Sequence, residues 1–519
     1  MKVPFSFVFM LGFLSAIAFT PASDGFEPSN VSLKFTGANT PIIISSKGDI
    51  RSTKVQAFDF SSNGKLEEVV INLSEPKFLR GLEARIGDVV VGSCEVGGTS
   101  NLDPNAALQI PIRIDAELAA KALKDSPELS VWASPSEFAA PDIKITIGIQ
   151  SLTIDGEKRS VEGERIEYRF GVLVREPNWD GVSAYRIPAL GRSNTGTLIA
   201  VYDARNANPT DLPGDIDVAC SRSFDNGKTW EPMQLAIDFK GEDEAKEGVG
   251  DPAILVDART GRIWIAALWA HNGKSLWDSE PGLKLGTSGQ LVLAYSDDDG
   301  ATWSEPRNIT ADTAPDKDWR VLFQGPGTGI VTRDGKLVFP AQFLDKDKGF
   351  FSTIIWSDDR GETWTVGTGA KYSTCESQVV ELNDGSIMIN MRNFGTKNFA
   401  RSVAVTNDLG KTWTQHEEMS NDLPCPICQA SLIRIKSTLD GDDSNLLAFM
   451  NPNSEKARVD MTLKLSEDEG QTWPRSLTLY RPHCYGYSSI IKIDADTIGA
   501  LYETQGGLIY QTVKTQDVK

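Results

Sequence analysis

Residues Ser223–Trp230 read SFDNGKTW, and four near-copies follow along the chain: SDDDGATW from Ser296, SDDRGETW from Ser357, TNDLGKTW from Thr406 and SEDEGQTW from Ser466. A run of the form S-x-D-x-G-x-T-W places Asp and Gly in a tight turn, where the carboxylate accepts backbone N–H groups and Gly takes a positive φ. The Trp that follows enters the next strand and offers a large apolar face for packing between sheets. Several copies are rich in carboxylates, but the ligand spacing of an EF-hand loop is missing, so the boxes are expected to build turns rather than hold calcium. Their starts are about 60 residues apart, room for four strands and their turns, which is one blade of a β-propeller. From Glu176 to Lys519 there is space for six such blades, one of them without a box.

Upstream of the boxes the texture differs. Between Asp24 and Arg175 short alternating runs recur, VSLKF at Val31, VQAFDF at Val55, KITIGI at Lys144 and IEYRFGVLV at Ile166. Period-2 alternation buries one face of a strand, and a series of such strands reads as a β-sandwich. DAELAAKALKD, from Asp115, reads instead as a short helix capped by Asp115. The first 23 residues carry one Lys, an apolar run and small residues near its end, the pattern of a secretory signal peptide. The expected organisation is therefore a signal peptide at 1–23, a carbohydrate-binding-like β-sandwich at 24–175 and a six-bladed β-propeller at 176–519. Such an all-β protein would be exported, to the periplasm or the medium, without membrane insertion.

Composition narrows the partners. With 71 acidic against 52 basic residues the net charge is -19, which repels nucleic acid and anionic membrane surfaces. An anionic substrate must then meet a local cluster of cations. Six cysteines and three histidines are too few for a disulfide scaffold and offer little to a metal. Cys425 and Cys428, in PCPIC, are expected to be a local disulfide or two plain thiols.

Just ahead of the first box stands AYRIPAL, Ala184 to Leu190. An arginine in an RIP motif before repeated aspartate boxes resembles the exo-α-sialidase (neuraminidase) family of glycoside hydrolases, and the preceding β domain is similar to that of the Bacteroidetes-type members. The resemblance implies a retaining exo-sialidase acting on terminal α-linked sialic acids of glycoconjugates, as a monomer and with no metal or other cofactor. Transfer of the sugar, intramolecular release, or a non-catalytic sialic-acid-binding propeller are the alternatives on the same fold.

Sialic acid bears a carboxylate on its anomeric carbon. Arginine suits that anion through its permanent charge and planar fork, and the resemblance assigns the role to Arg186, Arg392 in INMRN and Arg458 in EKARVDMTL. A carboxylate nucleophile would be repelled by the substrate's own anion, and sialidases use tyrosine instead. Tyr487 in CYGYSSI matches that position, with Tyr485 as a rival, and Glu376 in TCESQVVEL matches the base that takes the phenolic proton. The acid is expected at Asp211 in RNANPTD, six residues after Arg205, which the resemblance places near the sugar's C4 hydroxyl; Asp215 and Asp217 compete. Glu503 in ALYETQ would orient Arg186, while Asp251 in VGDP and Gln324 in LFQGPG would line the glycerol and N-acetyl pockets. Between LWAHNG and GQLVLAY, a long insertion carrying Trp277 either walls the leaving-group side or is an ornament.

Overall fold

The structure is a computed structural model that describes every residue except 1–31, 37–39, 48, 97–107, 162–164, 240–245 and 396–398, so the signal-peptide segment lies outside the described residues. The chain divides into two compact units. One takes in the described residues of Met1–Ile42 with Ser52–Ala139 and Lys144–Tyr168; the other takes in Ile43–Arg51, Ala140–Ile143 and Arg169–Lys519.

The first unit holds two antiparallel sheets. One orders the strands Ser32–Phe35, Thr53–Ser61, Glu128–Pro135, Leu79–Ile86 and Val89–Glu95; the other sets Leu66–Leu73 between Lys144–Ile154 and Leu108–Arg113. Val69, Ile71, Val131, Ala133 and Ile147 are buried, and Gln56 Nε2 donates to the Ile147 carbonyl at 3.1 Å, tying one sheet to the other. The helix Ala116–Ala122 begins where its cap predicts, with the Asp115 carboxylate accepting from the Glu117 and Leu118 amides at 3.1 and 3.0 Å.

The second unit is a β-propeller. Five antiparallel sheets of four principal strands follow one another, opening with Ala184–Arg192, Val249–Val256, Val321–Gln324, Thr374–Glu381 and Ser431–Lys436, and we number them blades 1 to 5. A sixth sheet orders Ser488–Asp494, Thr497–Glu503 and Leu508–Lys514, and its fourth strand comes from the far end of the sequence: Val172 pairs with Tyr510 and Leu173 with Ile509. This blade 6 is the one without a box. The opening strand of blade 1 packs against those of blades 6 and 2, and that of blade 5 against those of blades 4 and 6. Apolar clusters lie between neighbouring blades, such as Ile199, Val218, Ile254 and Ile265 between blades 1 and 2, and Val172, Tyr202, Trp230, Leu501 and Tyr510 between blades 6 and 1.

The boxes are turns with the expected internal bonding. In the first, Asp225 accepts from the Thr229 amide at 2.9 Å and from its hydroxyl at 2.6 Å, Gly227 N donates to Ser223 Oγ at 2.9 Å, and the buried Trp230 returns a bond to the Gly227 carbonyl at 3.1 Å. In all five the Gly and the residue before it have positive φ, from Asn226 at 57° and Gly227 at 85° to Glu469 at 59° and Gly470 at 84°. Each box glycine presses on the blade before its own. A Cβ on Gly227 would meet the Tyr510 ring of blade 6 at 2.0 Å, one on Gly361 the Trp264 ring of blade 2 at 2.4 Å, and one on Gly410 the Ile354 side chain of blade 3 at 3.1 Å.

Candidate active site

An antiparallel hairpin brings the start of its first strand beside the end of its second, so the innermost hairpin of every blade presents residues at the same end of the ring. Arg186 pairs with Asp203 in blade 1, Thr374 with Asn393 in blade 4 and Ser488 with Tyr502 in blade 6. Arg186, Asp251 and Glu376 lie near the starts of opening strands and Tyr487 just ahead of one; Arg205, Arg392 and Glu503 lie at the ends of second strands. Register shifts fall at Arg186/Ala189, Gly250/Ala253 and Thr374/Ser377, with positive φ at Ile187, Asp251 and Ser373. A bulge re-aims the side chain beside it. Pro188 and Pro252, which have no N–H to donate to a ladder, are the sequence trace of two of these irregularities.

The Tyr487 hydroxyl donates to Glu376 Oε1, and Arg392 Nη1 reaches Glu376 Oε2 at 2.6 Å and the Tyr487 oxygen at 2.9 Å. Tyr487 is 6% exposed. Burial, and after it the charge of Glu376, push its phenol well above the ordinary range against the pull of Arg392 and Arg458. The Arg186 and Arg458 guanidinium carbons stand 5.8 and 5.7 Å from the Tyr487 ring centre, so three cations surround one tyrosine.

Tyr485 is placed differently. Arg186 lies 4.2 Å over its ring and Arg458 donates to its carbonyl at 2.8 Å. The two tyrosines do not share a strand face, because the strand starts only at Ser488 and Gly486, at φ +88°, turns the chain between them. The second bond of Arg458 runs to the carbonyl of Ile427 at 3.0 Å, in the loop between Cys425 and Cys428. Those two cysteines are buried free thiols.

Glu503 is fully buried and joins three partners: it accepts from Arg186 Nε at 2.7 Å, from the Ile187 amide at 2.8 Å and from the Tyr487 amide at 2.9 Å. One carboxylate thereby fixes both the RIP arginine and the tyrosine backbone, a charge-assisted arrangement.

Arg205, 1% exposed, sits between two carboxylates. Its Nη1 reaches Asp211 Oδ1 at 2.6 Å, and its Nε and Nη2 reach Asp203 Oδ2 at 3.2 and 2.9 Å. The Asp211 side chain is 81% exposed. The protein mass around its loop would raise its carboxyl, but Arg205, with Arg186 and Arg458 beyond, outweighs this and the net shift is downward. Asp215 and Asp217 are both held by Asn206, at 2.8 and 2.9 Å, and take no part in this pair. Asp203 escaped the sequence reading. Its signal was present in YDAR, since residues two apart on a strand share a face.

Asp251 receives the Gln324 amide on its carbonyl, and its own amide donates to Asp203 Oδ1 at 2.9 Å. Burial and the charges of Asp203, Asp211 and Glu376 push its carboxyl well up. In the insertion, the half-exposed Trp277 packs against Phe394 at 5.8 Å, two residues past Arg392, while Ser275 donates to the carbonyl of Leu212, next to Asp211, at 3.2 Å. Among the described residues no group of His, Cys, Asp and Glu could hold a metal, and no helix is long and apolar enough to cross a membrane.

Comparison with known proteins is consistent along most of the second unit. The BNR repeat-like domain family matches residues 196–501. A sialidase of Bacteroides fragilis is 44% identical over 387 residues, covering 72% of this chain and 71% of that protein. Another, from Micromonospora viridifaciens, is 34% identical over 342 residues, 64% of this chain and only about half, 51%, of its relative's length. Among solved structures, the Hadza microbial sialidase Hz136 superposes with a TM-score of 0.80 at 32% identity, over 93% of this chain and 100% of that one.

Proposed function

The chain belongs to the sialidase family, as an exo-α-sialidase among the glycoside hydrolases, and we propose that it releases terminal α-linked sialic acid with retention, through a covalent intermediate on Tyr487. What carries this reading is a buried tyrosine whose hydroxyl donates to a carboxylate and which three guanidinium groups surround. A phenol so far above its ordinary pKa does not ionise by itself near neutrality, and Glu376 is placed to take its proton as the oxygen attacks.

Arg186, Arg392 and Arg458 would grip the substrate carboxylate. Glu503 already occupies Arg186 Nε, which leaves the terminal nitrogens for a forked contact. Asp211, whose side chain is exposed to solvent, would protonate the departing oxygen while Tyr487 bonds to the anomeric carbon and Glu376 accepts the phenolic proton. In the second half Asp211 takes a proton from water, the water oxygen bonds to the anomeric carbon, and the phenolate leaves with the proton returned by Glu376. Arg205 would stand near the C4 hydroxyl, with Asp251 and Gln324 toward the glycerol and N-acetyl arms. No cofactor enters this scheme.

The test is Tyr487→Phe on a fluorogenic sialoside. Turnover should fall about a thousandfold or more while sialic acid still binds, and a fluorinated sialosyl fluoride should label the peptide containing Tyr487 in the parent enzyme. Full activity in the variant, or a label elsewhere, would overturn the assignment. NMR of the first product distinguishes release of α-sialic acid from its transfer to another sugar.

A further inference from the structure

Asp203 is 1% exposed, and both of its oxygens are committed to the site. Oδ2 holds Arg205 through Nε and Nη2 at 3.2 and 2.9 Å, and Oδ1 accepts the Asp251 amide at 2.9 Å. Space for it is made by a glycine: a Cβ on Gly250 would stand 3.0 Å from Oδ1 and 3.2 Å from Oδ2. The residue it anchors, Asp251, has a φ of +57°, a conformation that costs a non-glycine residue energy unless its surroundings impose it.

Arg205 is thus the middle member of a row of three charges, with the buried Asp203 on one side and the exposed Asp211 on the other. An undivided guanidinium beside Asp211 would stabilise its anion, which is the wrong form for giving up a proton. Arg186 and Arg458 push in the same direction, and Asp251 is the other carboxylate that acts on Arg205.

We propose that Asp203 is a positioning residue for the acid step: one buried carboxylate fixes both Arg205 and the left-handed turn at Asp251, and by sharing the Arg205 cation it keeps Asp211 able to carry the proton it delivers. This rests on the reading of Asp211 as the acid. An activated aryl leaving group departs without protonation, whereas a sugar alcohol does not, so a defect in the acid step has a signature that general loosening of the site lacks.

Asp203→Asn and Asp211→Asn are compared with the parent enzyme on a nitrophenyl sialoside and on a sialyl-oligosaccharide. Asp203→Asn is expected to lose about tenfold more kcat/KM on the oligosaccharide than on the aryl substrate. It should also move the alkaline limb of the oligosaccharide profile down by about half a pH unit or more, since removing a neighbouring anion favours the ionised acid. Equal losses on both substrates with an unmoved limb would reduce Asp203 to a structural part and overturn the proposal. If Asp211→Asn itself shows no leaving-group dependence, the acid assignment falls and this inference falls with it. If Asp211→Asn shows the dependence and Asp203→Asn does not, only this inference falls. Should Asp203→Asn fail to fold by circular dichroism, Gly250→Ala, whose methyl would press on Asp203 Oδ1, is measured the same way and judged by the same two outcomes.

Discussion

Tyr487 is subject to two opposing demands. As the proposed nucleophile it would have to meet the anomeric carbon away from water, yet burial holds the proton on its oxygen. On the proposed mechanism Glu376 would resolve the conflict, and Glu376→Gln should lower kcat by about 10² to 10⁴ with a much smaller change in KM, measured on a fluorogenic sialoside. The Asp211 carboxyl lies below its ordinary range, so in the free enzyme its protonated fraction is small at neutrality and grows as pH falls. On a substrate with a poor leaving group, kcat/KM should therefore rise as pH is lowered from 7, by up to about tenfold per unit above the governing pKa, and Asp211→Asn should flatten that limb. At this scale much was legible in the sequence. Arg186 stands in the RIP run and the family resemblance pointed to Glu376 and Glu503, and the structure links all three through Tyr487. The resemblance pointed to Tyr487 with Tyr485 as its rival; what CYGYSSI does not reveal is that Gly486, at φ +88°, turns the chain between the two. Asp203 was legible only in part: Arg205, two residues on, shares its strand face, but its other partner, the Asp251 amide, lies in the next blade.

The boxes act as elements through both their turn and their back. Ser, Asp and Thr close the turn from within, and the glycine backs onto the preceding blade. Gly227→Ala would put a methyl 2.0 Å from the Tyr510 ring at a φ of +85°. Strain of this kind costs about 1 to 3 kcal/mol before the clash is counted, so the thermal midpoint should drop clearly. Gly385→Ala separates the two contributions. It has a φ of +84° with nothing within 4 Å, and its midpoint should fall by the backbone part alone; equal drops in the two variants would disprove the stitching role. The turn chemistry of the box follows from its residue types, so the sequence predicts it. What the glycine leans on does not, because Tyr510 follows the first box by nearly the whole length of the propeller.

For the whole molecule, the alternation at Ile166–Arg175 reads as one more strand of the β-sandwich at 24–175, and here the structure corrects the sequence. Its residues from Arg169 on belong with the ring, where Val172 and Leu173 complete the sixth blade beside Tyr510 and Ile509. Pairing is a long-range property, and no local pattern of side chains encodes a partner so far along the chain. In native-state hydrogen exchange the amides of Val172–Val174 and Leu508–Lys514 should share one slow rate, that of global opening, since neither strand can leave without opening the ring; separate, faster exchange of either would contradict it. This closure also sets a clock on biogenesis. During synthesis the first five blades can pair their own hairpins as they appear, but the Arg169–Arg175 strand must wait with its edge unpaired until Leu508–Lys514 has been made. For most of translation the nascent protein therefore presents an open strand edge, and that interval is when a chaperone, or a second nascent copy, would find something to bind.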